Sequence, residues 1–435
     1  MARSRYAKSR SARAVLVALV AVVLIAAIAL AVWFFTAPDS FKATFPFFFA
    51  AEDAGTEAPP PESGIDVPSE DDTNPPDEDN TNPPSGNDTE PPLAHGEGEL
   101  QVHFLDVGQG DSILILFPDG KDMLIDCGTT RGGSWEAVDE YMDDYVTDGQ
   151  LDYLMLTHTD KDHVGYLPDV LEKYDVDTVF MPNVLSEPSG TQSSERLQAE
   201  IDALDQNKVG MFTDDDTVSS DIYAEFFIAA LSEPDCNIYI NVDSNENTNS
   251  VVITDNGLQE PTNPDTDATY RLTFYCPTQE YYDTTDFSDA KDINAVSPVG
   301  ILEYNDFRLV FTGDSNEINE PIIAERIGKI DCDVLKVAHH GSESSSLDVF
   351  LNAVDCEYAV ISCGEGNSHH HPRQVALDRL IAQDMTIYRT DNNGNIVLTV
   401  TDGDNFTFNT EKEASQEQNR DGWTDEEIKA EKEKD

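Results

Sequence analysis

The sequence predicts an α/β domain held outside a membrane by an anchor and a long polar stalk. Three observations carry that expectation. From Leu100 onward, short apolar runs that read as strands alternate with segments of helical periodicity, the pattern of helices packed on sheets. Several of those strands end in an acid or a histidine, where α/β sheets gather their ligands. Residues 14–35, AVLVALVAVVLIAAIALAVWFF, carry no charge.

At about 1.5 Å per residue, that apolar run spans a bilayer core of roughly 30 Å. Arg3, Arg5, Lys8, Arg10 and Arg13 precede it, which places residues 1–13 in the cytoplasm and the rest outside. A cleaved leader would have a shorter apolar region, of about 7–15 residues. Residues 36–97 follow as a stalk. Its FPFFFA segment suits a membrane interface, and beyond residue 51 it is Pro, Glu, Asp, Asn, Thr and Ser. Such a composition buries too little apolar surface to offset chain entropy. Asn87 opens an Asn-Asp-Thr sequon.

Order begins near Leu100. Residues 100–106 and 112–117 predict strands around the turn Gly108-Gln109-Gly110. Lys121–Asp126 predicts a third strand, ending in Ile-Asp-Cys-Gly. Glu136–Val146 has helical spacing. The apolar run Leu151–Leu156 leads into a loop of acids and histidines, and Val164–Tyr174 then predicts one helix, with Pro168 in its first turn. Asp175–Met181 predicts another strand. Between about 185 and 269 the pattern weakens, which predicts an insertion decorating the core. Strands return at Tyr270–Pro277, Val299–Tyr304, Arg308–Thr312, Asp333–Val337, Tyr358–Ser362, Thr386–Arg389 and Ile396–Thr401. Helices are expected at Glu320–Ile327, Leu347–Ala353 and Arg373–Ala382. The domain is expected to span 98–405, with 406–435 a charged tail.

The net charge is −59, from 85 acidic and 26 basic residues. Such a surface repels nucleic acid at long range unless local cations or metals offset it. The six cysteines form no Cys-x-x-Cys pair, which argues against a zinc knuckle and for buried thiols.

The densest chemistry is His158, Asp160, Asp162 and His163, four potential metal ligands within six positions of a chain with nine histidines. Imidazole suits zinc, manganese or iron, and carboxylates can bind or bridge a second ion. Asp126, Asp314 and the pair His339-His340 stand at the ends of other predicted strands. Alone, each of these would read as a surface turn. Together they predict a metal centre.

The segments HFLDVGQGDS (103–112), LIDCG (124–128), THTDKDH (157–163), FTGDS (311–315), VAHHGSESSS (337–346) and HHHPR (369–373) resemble the metallo-β-lactamase superfamily. More narrowly, they resemble the extracytoplasmic hydrolase domain of the ComEC competence family. The resemblance covers about residues 100–402. It implies a four-layered αβ/βα sandwich and two divalent ions, zinc or manganese. His158 and Asp160 would hold one ion. Asp162, His163 and either His339 or His340 would hold the other, with Asp314 bridging. Asp160 stands where the wider superfamily has histidine, which makes that position harder and favours manganese. A further superfamily histidine before Asp314 has no evident counterpart, and Asn294–Val299 is the place for a substitute. Asp126 would orient the His-rich loop, and Asp106 and Asp111 would flank the site. Ser342 and His369 would bind substrate, and His371 would stand near the leaving group.

Two such ions would lower the pKa of a shared water, giving hydroxide near neutral pH, with Asp162 as proton acceptor. Lys161 stands beside the cluster either to attract a phosphate or as a plain surface lysine. The function implied is a membrane-anchored phosphodiesterase or nuclease using a metal-bound hydroxide, with DNA as substrate and no protein cofactor. A cell-wall phosphodiester, such as a phosphocholine ester, is the alternative substrate. A β-lactamase-like amide or thioester hydrolase and a non-catalytic surface-binding module are the other readings.

Overall fold

The structure, a computed structural model, describes residues 98–129, 131–188, 192–212, 217–243, 251–259, 268–402 and 405–432. The expected anchor at 14–35 and the stalk lie outside the described residues. Among the described residues no helix is long and apolar enough to cross a membrane.

Sixteen strands make two eight-stranded sheets. In chain order they are β1 (Leu100–Phe104), β2 (Ser112–Leu116), β3 (Asp122–Cys127), β4 (Gln150–Met155), β5 (Asp175–Met181), β6 (Asn237–Ile240), β7 (Val251–Thr254), β8 (Gly257–Gln259), β9 (Tyr270–Tyr275), β10 (Val299–Tyr304), β11 (Phe307–Phe311), β12 (Cys332–Lys336), β13 (Cys356–Ile361), β14 (Thr386–Arg389), β15 (Ile396–Asp402) and β16 (Asn405–Thr410). The first sheet runs β6-β5-β4-β3-β2-β1-β15-β16, the second β8-β7-β9-β10-β11-β12-β13-β14. Each sheet is parallel in one half and antiparallel in the other.

Alternation within the strands explains the layering. Ile113 and Ile115 of β2 face the second sheet, while Leu114 and Leu116 face helices. One apolar slab, with Phe104, Phe274 and Phe307, fills the space between the sheets. A second joins the first sheet to helices, including Trp135–Asp143, Leu167–Lys173 and Asp221–Ser232. A third joins the second sheet to Glu320–Ile327, Asp348–Val354 and Gln374–Ala382. This is the expected helix-sheet-sheet-helix order. Each large apolar side chain buried there contributes roughly 1.5–3 kcal/mol. All six cysteines are buried free thiols.

Three expectations differ from the structure. The helix expected over 164–174 is two helices, Lys161–Val164 and Leu167–Lys173. It breaks because the Tyr166 amide donates to the Cys127 carbonyl at 2.6 Å instead of up the helix. The 185–269 stretch does more than decorate: it supplies β6 to the first sheet and β7 and β8 to the edge of the second. It also supplies Tyr223, Phe226 and Phe227, all fully buried. The tail is folded: β16 pairs with β15 through Phe408↔Leu398, and helices follow at Gln416–Asn419 and Asp425–Lys432.

Candidate metal centre

The expected ligands stand at the C-terminal ends of parallel strands: Asp126 on β3, His158 after β4, Asp314 after β11, and His339 and His340 after β12. Parallel neighbours end on one side, so loops distant in sequence meet there. Glycines let them approach closely. A Cβ at Gly128 would lie 2.5 Å from the His163 amide, and one at Gly110 would lie 2.6 Å from the Asp162 carbonyl.

Asp126 is buried at a φ of 56°. Its carboxylate accepts from the Thr157 amide at 2.8 Å, the Thr157 hydroxyl at 2.6 Å and His163 Nδ1 at 2.7 Å. The Thr157 proton is thereby spent on Asp126. Its oxygen, 3.2 Å from His158 Nδ1, is left as an acceptor, and Ser297 Oγ lies 3.3 Å from the same nitrogen. The hydrogen of His158 therefore belongs on Nδ1. Its Nε2 is fully buried and has no hydrogen-bond partner.

The same reasoning fixes two more rings. His163 gives its Nδ1 hydrogen to Asp126. His340 gives its Nδ1 hydrogen to the Ser362 carbonyl at 2.9 Å, because a carbonyl only accepts. The two Nε2 atoms then face each other at 3.3 Å. His163 Nε2 is 3.1 Å and His340 Nε2 3.6 Å from Asp314 Oδ1, and His340 Nε2 is 3.5 Å from Asp162 Oδ2. Four electron-pair donors thus converge with no hydrogen between them. Added protons or a cation must fill the gap. Bonds of about 2.0–2.1 Å to a tetrahedral zinc separate its ligands by roughly 3.3 Å, close to these spacings.

The other oxygen of Asp314 has a second group around it. His158 Nε2 is 3.8 Å and His339 Nε2 3.6 Å from Oδ2, and Asp160 Oδ2 is 3.9 Å from His158 Nε2. Asn294 joins this side. Turned to satisfy its amide, it donates to Asp160 Oδ2 at 3.3 Å and its oxygen accepts from His339 Nε2 at 3.3 Å. Asn294 and Ser297 both belong to the stretch where a substitute for the absent histidine is expected. The Ser297 hydroxyl also accepts from the Asp314 amide at 3.1 Å.

The charges are crowded. Asp111, Asp126, Asp160, Asp162 and Asp314 supply five carboxylates. Against them stands one buried ammonium, Lys336, 2.8 Å from Asp111 Oδ2. Two divalent cations would balance the remaining four negative charges. Burial, with the neighbouring Asp162 and Asp314, pushes Asp160 up to about 7. Burial also opposes ionisation of Asp314, but His163, His339 and His340 outweigh it and hold that carboxyl well below the usual range. Asp162 is likewise lowered against burial, by the neighbouring His340 and His163. Burial disfavours charge on His163, yet Asp314 and Asp126 draw its imidazole well toward the protonated form. That pull toward positive charge is what a cation would satisfy. Burial and His163 instead hold His158 neutral.

The remaining expected residues fall in several places. Asp111 is buried, with Oδ1 3.5 Å from His340 Nδ1. Asp106 makes its contacts within its own loop and with the C-terminal segment. Its Oδ1 caps the Gly108 amide at 3.2 Å and its other oxygen faces Lys412 at 3.8 Å, because Asn395 holds the Asp106 amide and bends the loop there. Ser342 follows the histidine pair, its hydroxyl 3.1 Å from Ser344 Oγ. His371 is buried and its ring lies 5.4 Å from that of His339. His369 is exposed beside it, 5.8 Å away. Lys161 is exposed. Sequence reasoning missed Lys336 and Thr157 as parts of the centre, and named the stretch of Ser297 without singling out that residue. Lys336 had a legible signal, a lone cation inside the apolar run DVLKVA.

Residues 105–218 match the family model of the metallo-beta-lactamase superfamily. Over 315 residues the chain is 26% identical to ComE operon protein 3 of Bacillus subtilis (strain 168), covering 69% of this chain and 33% of that protein. Over 87 residues it is 40% identical to Competence protein ComA of Neisseria gonorrhoeae, covering 20% and 13%. Over 283 residues it is 26% identical to Recombination protein 2 of Haemophilus influenzae, covering 64% and 26%. The chain thus spans a third or less of the length of these relatives. Residues 105–218 are thus similar to the metallo-β-lactamase superfamily, and the chain resembles a segment of these competence and recombination proteins.

Proposed function

We propose that this domain is a phosphodiesterase holding two divalent metal ions, zinc or manganese, and acting on nucleic acid outside the membrane. The observation that carries the reading is the convergence of hydrogen-free donors on Asp314 Oδ1, with a second cluster of acids and imidazoles around Oδ2. Asp162, His163 and His340 would hold one ion, and His158, Asp160 and His339 the other. When bound, such ions polarise a phosphoryl oxygen and make water more acidic.

The chain's own groups do the rest. Asp126 and the Ser362 carbonyl lock the two imidazoles of the tighter side, as partners of metal-binding histidines do. Asp162 is held ionised and can accept a proton from an attacking water. Burial, then His339 and His340, hold His371 well below the usual imidazole range. It therefore stays neutral and serves as a hydrogen-bond donor at the leaving oxygen rather than as an acid. Ser342 and His369 line the approach for the substrate. The basic residues before 14–35 support the outside location.

The acidic charge favours a second substrate, a cell-wall phosphodiester such as a phosphocholine ester, since like charge repels a polyanion. The test is turnover by the whole chain in detergent, loaded with Zn²⁺ or Mn²⁺. Bis-p-nitrophenyl phosphate, DNA, a phosphocholine ester and nitrocefin are offered in parallel. Cleavage of both the small diester and DNA is expected. Cleavage of the diester and not DNA removes the nucleic-acid part. Nitrocefin turnover alone would favour amide hydrolysis, and no bound metal and no turnover would favour a binding module.

A further inference from the structure

The C-terminal segment has an acidic, charge-rich composition that suggests a solvated tail. Its contacts are specific instead, and they converge on the loop that carries His371. His371 points into the centre with Nδ1 buried and lacking a hydrogen-bond partner. Its amide donates to Asn367 Oδ1 at 3.0 Å. The preceding residue, His370, has a φ of 58°, a conformation that a non-glycine residue keeps only when its surroundings hold it.

The tail supplies those surroundings. The His370 ring stands edge-on to Trp423, 4.8 Å between centroids, and its Nε2 lies 2.8 Å from Glu431. The Trp423 amide donates to the Pro372 carbonyl at 3.0 Å, and the Gln374 amide donates back to the Trp423 carbonyl at 2.9 Å. Backbone on both sides of Arg373 is thus paired with one tail residue. The approach is so close that a Cβ at Gly422 would lie 2.8 Å from the Pro372 carbonyl oxygen. The tail is itself anchored by Asn419, fully buried, which donates to the Ile387 carbonyl at 2.8 Å.

We infer that residues 411–432 form a strap that positions His371 for the reaction, with His370, Trp423 and Glu431 as its positioning residues. The kinetic part of this inference rests on the hydrolase reading; the structural part does not. Among the described residues no hydrogen bond or ion pair joins the strap to a ligand of the proposed ions, so metal binding and His371 alignment are separable.

The test compares Trp423→Ala, Trp423→Phe and His370→Ala in the whole chain. The last removes the side-chain part of the strap's grip without touching the tail's own anchors. Amide hydrogen exchange over 367–374, bound metal, and kcat and KM on bis-p-nitrophenyl phosphate are measured. Expected are faster exchange at 370–374, unchanged metal content, and KM within about twofold. A kcat loss of roughly tenfold is expected, since small misplacements of reacting groups cost up to about 100-fold. Trp423→Phe should recover most of it. Trp423→Ala should cost nothing further in a His371→Ala background. An equal loss in that background, a parallel loss of metal, or unchanged exchange in both Trp423→Ala and His370→Ala overturns the strap. If the wild type hydrolyses nothing, the hydrolase reading fails, and exchange alone decides the strap.

Discussion

The two oxygens of Asp314 look onto unlike surroundings. On the Oδ1 side, His163 and His340 are fully enclosed and each ring is pinned from behind, by Asp126 and by the Ser362 carbonyl. On the Oδ2 side, Asp160 is 37% exposed and His339 24%. Only His158 is enclosed there, and Asn294 occupies the position where a third imidazole would be sought. The difference teaches that one carboxylate can serve a preorganised pocket and a looser one. The enclosed pocket needs no rearrangement to receive a cation. The open one is free to exchange ligands with substrate.

The strongest challenge to this contrast is Asp314→Ala, which removes the shared group. Both ions should be lost, and hydrolysis should fall by more than the roughly 100-fold typical of outer partners. Metal analysis and turnover check it, and retention of one tight ion would break the bridge. Next, His340→Ala should abolish the tighter ion, while His339→Ala should weaken only the looser one. Calorimetric titration with Zn²⁺ or Mn²⁺ reads this, and equal losses would erase the distinction. Asp126→Asn, which releases the His163 ring, should weaken the tighter ion by about 10- to 100-fold and leave the other unchanged.

Acidification should act on both sides, through different groups. The Asp160 carboxyl, pushed up to about 7 by burial and by Asp162 and Asp314, takes a proton as pH falls through that value. Asp162 and Asp314 are both lowered and stay ionised. Affinity on the Oδ2 side should therefore drop by about tenfold per pH unit below roughly 7, and the Oδ1 side should weaken as well, because neighbouring carboxylates raise His163 and His340 and each must give up a proton to bind a cation. Metal titrations at pH 8 and pH 6 would show whether one ion leaves first. The smallest effect is that of Ser297→Ala. It removes a buried hydroxyl from the Asp314 amide and His158, worth about 1 kcal/mol of stability, measured by denaturant unfolding.

How much of this was legible follows from what each feature depends on. Strands such as β2 and β12 announce themselves by apolar runs, and acids or histidines at their ends mark a site. The loop 157–163 was readable because its ligand types crowd within seven residues. The role of Asp126 came from a resemblance, and the geometry gives it a physical account in three hydrogen bonds. The division of labour between His339 and His340 was not legible, since adjacent histidines are equivalent until the backbone turns. Both sit at positive φ, 51° and 53°, which sends one ring to each oxygen of Asp314. The Asp111–Lys336 pair joins residues 225 apart, and no local pattern links them. The break at Gly165 was hidden because its cause, the Cys127 carbonyl, lies on another strand. The tail misled because its charges dominate its composition while Trp423, Asn419 and Ile428 make the contacts.

By itself, then, the sequence determined the alternation of strands and helices, the strand ends that bear ligands, and the polar and apolar divisions of the chain, because these rest on periodicity and composition within short windows. Only the tertiary structure decided which nitrogen faces which oxygen, which side of Asp314 is enclosed, and that residues 411–432 grip the His371 loop. Those features depend on where distant strands end and on which hydrogen bonds spend which protons, and neither is encoded in any one segment.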